Sequence, residues 1–515
     1  MVCEKNFIKG GCSFMQKSIQ YFGEVCIQRF LEIQKELYQN PKDLAEFILN
    51  VESEVRKLGR IFIEETLEEM DQLIRESDKR KKHWVVETHD NKSLITSLGT
   101  INYTKTLFTS KDLKTEDGKE VMCYLLDKAL GLTENQHLSV DAIAKVYEEA
   151  TQTSYRRAGQ SICSEDAISK EAVKELLHKT RFPKLEIPRE KKKVKYLYID
   201  ADEDHYALQF KETKGDLVVN SMGRKNNGAI NKIIYVYEGI EPEAPGSKRN
   251  CLIGTHYFCR GTEQDNKELW KEVFEYIENF YDTECLEKIY LNADGGSWIK
   301  EGLNHIAGVK YVLDEFHLSK YIFKMTSHML DTSWDAQREI RKTIRQATKD
   351  DFNRLVERLL DYAKSESDVN RIKSSSDYIL KNWSAAKIRL SRLENVVGSS
   401  TEGHVYHVLS SRMSTDPLGW SHHGASQMAR FREYTYNSGN MLELARYQKE
   451  VLSKAAGTEE LEISATKMVT ANKRDRTFSD KEYGKYIECF HSALPKYLED
   501  EINKNHDYYY IRSWF

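Results

Sequence analysis

The stretch Tyr196-Leu197-Tyr198-Ile199-Asp200-Ala201-Asp202-Glu203-Asp204 decides how this chain is read, because an aromatic and aliphatic run gives way to acids. Such a run reads as a buried strand, and acids at its end sit where an open α/β sheet places its ligand site. Lys288-Ile289-Tyr290-Leu291 repeats the pattern and leads to Asp294-Gly295-Gly296. A third acid, Glu402, opens a helix-like stretch, with Asp314-Glu315-Phe316-His317 lying between the last two. Carboxylates at the ends of buried strands suit metal-dependent phosphoryl transfer, in which each Mg²⁺ wants hard oxygen ligands and two ions flank one phosphate.

Around these motifs, strands are expected at Lys195–Ala201, Tyr206–Lys211 and Lys232–Gly239, supplemented by Leu252–Cys259. A helix over Glu263–Tyr281, a strand at Lys288–Asn292, a helix near Ser297–Leu303 and a strand at Lys310–Leu313 follow. The order β-β-β-α-β-α-β is that of a ribonuclease H-like fold, so the expected class is α/β with a mixed-sheet catalytic domain. After Leu318, roughly 80 residues of charged, helix-rich sequence precede Ser399, far more than a crossover connection needs. An all-helical insertion accounts for them.

Upstream, Ile19, Phe22, Val25, Cys26, Phe30, Ile33 and Leu37 recur at three- and four-residue steps, and Leu58, Ile61, Phe62, Leu67, Met70 and Leu73 do so after Pro41. That periodicity predicts a helical hairpin between Met15 and Ser77. His83 to Phe108 alternates like a β-hairpin, with its turn at Leu98-Gly99-Thr100. Three short helices are then expected, Val140–Thr151, Ser154–Cys163 and Ser169–Lys179, with Ser154 and Ser169 as N-caps and Ser164-Glu165-Asp166-Ala167 as a turn. The unit reads as a helix-turn-helix presenting Arg156, Arg157, Lys170 and Lys174, followed by a basic linker with Lys191, Lys192 and Lys193. These residues either reach DNA phosphates and base edges or are simply solvated, and Glu165, Asp166, Glu171 and Glu175 dilute the face. The expected division is a helical hairpin at 1–80, a small β-containing element at 81–136, a helix-turn-helix-like DNA-binding region at 137–182 and a linker at 183–194. A catalytic domain in two parts, 195–317 and 399–440, flanks the insertion at 318–398, and a helical region at 441–515 ends the chain.

Composition bounds the function class. The 515 residues carry 77 Lys and Arg against 81 Asp and Glu, a net charge of −4, so whole-chain charge neither favours nor forbids a nucleic acid partner. Nine scattered cysteines with no C-x-x-C spacing point to free thiols in a reducing compartment rather than to a disulfide framework or zinc ribbon. No apolar run approaches a membrane span and the N-terminus lacks a signal-peptide pattern, so a cytoplasmic protein is expected. Walker A, G-x-G-x-x-G, H-E-x-x-H and G-x-S-x-G patterns are all missing, which removes support for nucleotide hydrolysis, dehydrogenase and serine hydrolase chemistry.

Each acid also has a plainer reading. Asp200-Ala201-Asp202-Glu203-Asp204 starts like a calcium loop, but His205 at the sixth position and Lys211 at the twelfth exclude an EF-hand. In a strand, residues 200 and 202 share a face, so either could reach a metal. Asp294 before two glycines fits an ordinary turn, and Ser399-Ser400-Thr401-Glu402 fits a capping box. His404 and His407 stand at i and i+3 with no further ligands spaced to complete a zinc site.

The motifs Tyr198-Ile199-Asp200-Ala201-Asp202-Glu203-Asp204-His205, Asn292-Ala293-Asp294-Gly295-Gly296-Ser297-Trp298-Ile299-Lys300, Leu313-Asp314-Glu315-Phe316-His317 and Ser400-Thr401-Glu402-Gly403-His404-Val405-Tyr406-His407-Val408-Leu409-Ser410-Ser411-Arg412-Met413 resemble the insertion-sequence transposases of the Lre group. That group was long catalogued as an uncharacterised bacterial family and is related to Mutator-like transposases. The likeness extends from about Thr96 to about Gly439. It implies a DDE-type transposase whose metal ligands are Asp202, Asp294 and Glu402, with Asp202 preferred over Asp200 because the family often has glutamate at the latter position. Asp314-x-x-His317 resembles the C/D-x-x-H signature of related transposases, and Asp200, Asp314, His317 and Arg412 are accessory candidates. Asp416 before Pro417 departs from the family, which has a basic residue there. The resemblance further implies Mg²⁺, with Mn²⁺ as a substitute, and double-stranded DNA partners, both the terminal inverted repeats and the target. A homodimer or higher oligomer on DNA, associated with the bacterial nucleoid, is expected. The alternatives are a catalytically silent DNA-binding regulator and a host nuclease of the same fold.

Overall fold

The computed structural model describes residues 16–470 except 116, 134, 164–165, 210–226, 262–263, 307, 392, 394, 399–400, 416–418 and 457–458. The chain is mixed α/β with many helices, and it divides into two compact units, one of 1–150, 154–173 and 441–515 and the other of 151–153 and 174–440. The expected turn residues Ser164 and Glu165, the Ser399-Ser400 half of the capping box, Asp416-Pro417 and the end of the 441–515 region fall outside the described residues.

In the first unit, the periodic stretch forms the helices Ile27–Gln39 and Leu44–Glu76, and the Asp43 side chain caps the second by accepting from the Glu46 N–H. The antiparallel strands β1 (Trp84–Thr96) and β2 (Gly99–Lys114) pair with Thr96 opposite Gly99, and β3 (Glu120–Tyr124) adds to β2. The hairpin loop is therefore Ser97-Leu98, one residue earlier than expected, because Gly99 takes the positive φ of 120° that pairing requires there. Ile74, Trp84, Ile101, Tyr103, Phe108, Leu125 and Leu126 form the core beneath this sheet. Helices Val140–Ala150, Tyr155–Gln160 and Lys170–Lys179 occupy the three short helical stretches, the last passing into the second unit at Lys174, and the Ser154 and Ser169 hydroxyls accept from the N–H groups three residues on.

The second unit is built on a five-stranded sheet of β4 (Tyr196–Ala207), β5 (Gly228–Tyr237), β8 (His256–Gly261), β9 (Lys288–Ala293) and β10 (Val309–Leu313), in the order β10-β9-β4-β5-β8. Strand β5 runs antiparallel to both of its neighbours, β4 and β8, whereas β9 is parallel to β4 and to β10. A separate hairpin, β6 (Gly239–Pro242) with β7 (Asn250–Ile253), lies between β5 and β8 in the chain. Tyr206 does not begin a second strand as expected. It continues β4, because the ladder to β5 runs unbroken through the acids to Ala207, and backbone pairing is indifferent to polar side chains that find donors. The third strand is consequently β8, and Leu252 belongs to the hairpin instead.

One face of the sheet presents Leu197, Ile199 and Ala201 to Trp270, Val273 and Ile277 of the helix Asn266–Phe280. The opposite face carries Tyr198, Asp200, Asp202, Asp204 and Tyr206, as the two-residue period of a strand dictates. Beyond β10 the helices Glu315–Thr326, Ser333–Gln346, Lys349–Asp361, Glu366–Lys381 and Trp383–Leu390 enclose their own core of Ile322, Ile340, Phe352, Ile372 and Ile379. The chain then returns along the acidic face as Thr401–Met413, a helix interrupted by a π-helical segment over Tyr406–Ser410.

Candidate active site

The register of three adjacent parallel strands assembles the site. Ala201 of β4 pairs with Ala293 of β9, and Ala293 pairs with Leu313 of β10. Asp202, Asp294 and Asp314 are the next residue on each, so three acids stand level across strands spaced about 4.8 Å apart. Glu402 comes to the same place from the first turn of its helix. Ala201, Asp202, Ala293, Asp294, Asp314, Phe316, His317, Thr401, Glu402 and Gly403 line one cavity. All three principal acids and two of the accessory candidates thus share a wall.

Local structure holds each group. The Asp294 carboxylate accepts the Gly296 N–H at 2.9 Å, and Gly295 between them has a φ of 104°. The turn expected from Asp-Gly is present, and it coincides with the cavity rather than competing with it. Asp314 caps its helix by accepting the His317 N–H at 2.9 Å, and the same oxygen meets the His317 ring Nδ1 at 3.1 Å. That contact holds the imidazole pKa above its ordinary value, against the opposing effect of burial and with help from the charges of Asp294 and Asp202. Burial pushes the Asp202 carboxyl up to about 6; the Glu203 N–H opposes the shift and the Asp294 charge adds to it.

Asp200 is placed differently. It is buried beneath the cavity and accepts from Asn292 Nδ2 at 2.7 Å, Tyr235 Oη at 2.9 Å and Tyr237 Oη at 3.2 Å. Burial raises its carboxyl to about 6, with those three donors and Arg389 pulling the other way. Arg389, which no sequence signal singled out, is itself buried and donates to Leu313 O, Val397 O and Asn292 Oδ1 at 2.9, 2.6 and 2.7 Å. Because Leu313 and Asn292 lie 76 and 97 residues away, no local spacing could have announced this group.

Other candidates stand apart from the cavity. Arg412, an accessory candidate, is buried with its guanidinium 4.9 Å from the centre of the Trp420 ring, and it is not among the residues that line the cavity. At about 100° per residue, ten residues turn a helix well off the starting face, and the π-helical segment changes the phase further. His404 accepts or donates at Tyr257 Oη (2.8 Å) and burial lowers its pKa to about 4, a packed core histidine. Arg156, Arg157, Lys170, Lys174, Lys191, Lys192 and Lys193 are all exposed, and Lys192 pairs with Glu238 at 2.5 Å.

The donor set is chemically suited to a hard divalent cation, three carboxylates on one wall with a histidine beside them. As the side chains stand, no group of three His, Cys, Asp or Glu among the described residues is disposed to hold a metal. One oxygen of Asp202 accepts the Glu203 N–H at 2.9 Å, and one of Asp294 accepts the Gly296 N–H at 2.9 Å.

The model of an uncharacterised protein family, UPF0236, matches residues 37–450. The chain belongs to that family. A UPF0236 protein of Caldanaerobacter subterraneus subsp. tengcongensis, whose name joins eleven designations from TTE0033 to TTE2212, is 35% identical over 443 residues, covering 84% of this chain and 87% of the relative. The UPF0236 protein in the vanSb 3′ region of Streptococcus gallolyticus is 27% identical over 404 residues, covering 73% of this chain and 80% of the relative. Among solved structures, the Drosophila P element transposase strand transfer complex aligns with a TM-score of 0.21 and 9% identity over 65% of this chain and 92% of that one. A score so low carries no structural argument.

No helix among the described residues is long and apolar enough to cross a membrane.

Proposed function

We propose that this UPF0236 protein is a DDE-type DNA transposase with a ribonuclease H-like catalytic domain, and that Asp202, Asp294 and Glu402 are its catalytic acids. The observation that carries the reading is the single cavity lined by all three together with Asp314 and His317, although they come from positions as far apart as 202 and 402. Strand order and direction support the fold assignment. A relative whose one name gathers eleven designations fits a gene present in many copies, as a mobile element is.

Asp202, Asp294 and Glu402 would hold Mg²⁺ or Mn²⁺, which when bound supplies Lewis-acid activation of a phosphodiester and of the attacking hydroxyl. The chain's own groups do the positioning. His317, whose pKa the Asp314 hydrogen bond raises, would in its cationic form neutralise charge developing on a phosphate oxygen. Gly295 and Gly296 let a DNA backbone approach Asp294 closely. Asp200 and Arg389 hold the strand ends in register from below. The exposed Arg156, Arg157, Lys170, Lys174 and Lys191 to Lys193 supply duplex phosphate contacts to the terminal repeats, and a dimer brings two ends together.

The test is cleavage and joining of DNA that carries the sequences flanking the gene. Asp202→Asn, Asp294→Asn and Glu402→Gln should each cut activity by about a hundredfold or more in Mg²⁺. If all three variants cut like the parent, the assignment falls. A second reading, a DNA-binding regulator without catalysis, draws on the exposed basic residues Arg156, Arg157, Lys170 and Lys174 alone. Protection of the terminal repeats with no nicking in Mg²⁺ or Mn²⁺ would select it.

A further inference from the structure

We infer that the exposed face of the helix Glu315–Thr326 is a stacking track for an unpaired DNA end at the mouth of the cavity. The inference rests on the transposase reading of that cavity. The exposed residues of this helix are Glu315, Phe316, Lys320, Phe323 and Lys324, of which only Glu315 is acidic. Phe316, Lys320 and Phe323 stand at i, i+4 and i+7, so they form one stripe. Phe316 is 50% exposed and Phe323 57% exposed, and Phe316 is also part of the cavity lining.

A single exposed phenylalanine needs no explanation. Two on one stripe, with a lysine between them and one end at a wall of carboxylates, match what an unpaired strand requires. Base faces stack on aromatic rings regardless of sequence, and ammonium groups follow the backbone between them. The rise from Phe316 to Phe323 is about 10 Å, too long for one base step, so the two rings serve different nucleotides with Lys320 facing the phosphates between.

The helix is built to hold this face still. Leu318, Ile322 and Met325 are fully buried in the core of the helical insertion, and the Asp314 cap fixes the first turn. The Phe316 ring stands edge-on to the His317 ring at 87°, with centroids 5.4 Å apart. Lys320 Nζ lies 5.8 Å from the Phe316 centroid, so ring and cation are already side by side. A second exposed ring beside a cation lies on the helix Ser333–Gln346, where Trp334 is 63% exposed and the Arg338 guanidinium stands 4.7 Å from its ring centre.

The test uses the full chain in EDTA with a fluorescein-labelled oligothymidylate, read by anisotropy. Phe316→Ala and Phe323→Ala should each weaken binding about tenfold with the melting midpoint unchanged, and Phe316→Tyr should restore it. Lys320→Gln and Lys324→Gln should each lower the salt slope by about 0.7. The track is refuted if the parent does not bind the oligonucleotide, if both alanine variants bind like the parent, or if tyrosine is no better than alanine. Binding in EDTA does not draw on cleavage. Inactive behaviour of the parent in the cleavage assay, with this binding pattern intact, would sink the transposase reading and leave the track standing.

Discussion

Arg389 donates from Nη2 to the side-chain oxygen of Asn292 at 2.7 Å, although 97 positions separate them. Asn292 in turn donates to Asp200, so a cation from the end of the insertion is coupled to the acid beneath the cavity. Removing the guanidinium strands three acceptors and leaves the Asp200 carboxylate without its nearest cation. Arg389→Ala should cost about 3–5 kcal/mol in urea unfolding, since breaking a buried charged network from one side is costly. Arg389→Met, which keeps an unbranched stem but carries no charge and no donors, should recover little of it. A loss under about 1 kcal/mol would show that the network holds nothing together.

The raised carboxyl of Asp202 sets a pH dependence in the metal-free protein. Its folded pKa of about 6 lies above the ordinary 3.8, so the folded state holds the proton more tightly. The corresponding stability is present below pH 4 and is lost as pH rises through 6. Asp202→Asn should therefore stabilise the protein at pH 7.5 in EDTA by about 1–2 kcal/mol relative to the parent, with the gain vanishing at pH 4. Melting midpoints at the two pH values check this; an equal shift at both would rule out the carboxylate as its source.

His317 gives the opposite kind of handle. Its folded pKa is raised above 6.5 chiefly by the Asp314 hydrogen bond, so its contribution is complete below the unfolded pKa and fades as pH climbs through the folded one. Asp314→Asn should bring the ring titration down towards or below 6.5, because burial then acts with less opposition. Histidine NMR titration, with the resonance assigned from His317→Gln, measures it directly. An unmoved titration would mean that Asp314 is not what holds the proton.

Gly295 is tied to its conformation. A Cβ there would lie 3.0 Å from Asn382 Nδ2 and would sit on a backbone with φ of 104°. Gly295→Ala should destabilise the protein by about 1–3 kcal/mol and misplace Asp294. Gly403→Ala, at a lining position where nothing lies within 4 Å of the added carbon, is the matched control for bulk. Equal melting midpoints for the two variants would contradict the argument.

Much of the sheet was legible because its signals are local. Tyr196 to Ala201, Lys288 to Leu291 and Lys310 to Leu313 announce strands by composition, whereas the Asp314 cap that follows the last of them was not read from the sequence. The grouping of Asp202, Asp294 and Glu402 was expected from motif likeness, whereas their common level across β4, β9 and β10 depends on register, which no single stretch encodes. The place of Arg412 away from the cavity was not legible, because the π-helical segment over Tyr406–Ser410 shifts the helix phase and sequence does not mark it. Tyr206 was misassigned because alternate acids look like an interruption, although Tyr235, Tyr237, Ser410 and Ser414 supply donors that make them tolerable. Arg389 escaped notice for the opposite reason: it looks like any other helical arginine until its distant acceptors on Leu313 and Asn292 are known.

The helical insertion has one more consequence. It departs after β10, and its last helix comes back to bond with the ends of β9 and β10 through Arg389. Departure and return are thus pinned at the same rim, and the helices between form a closed excursion. Helical turns added or removed within that excursion leave both pinning points where they are. The size of the excursion is therefore a free variable, open to change without retuning the distance between Asp294 and Glu402.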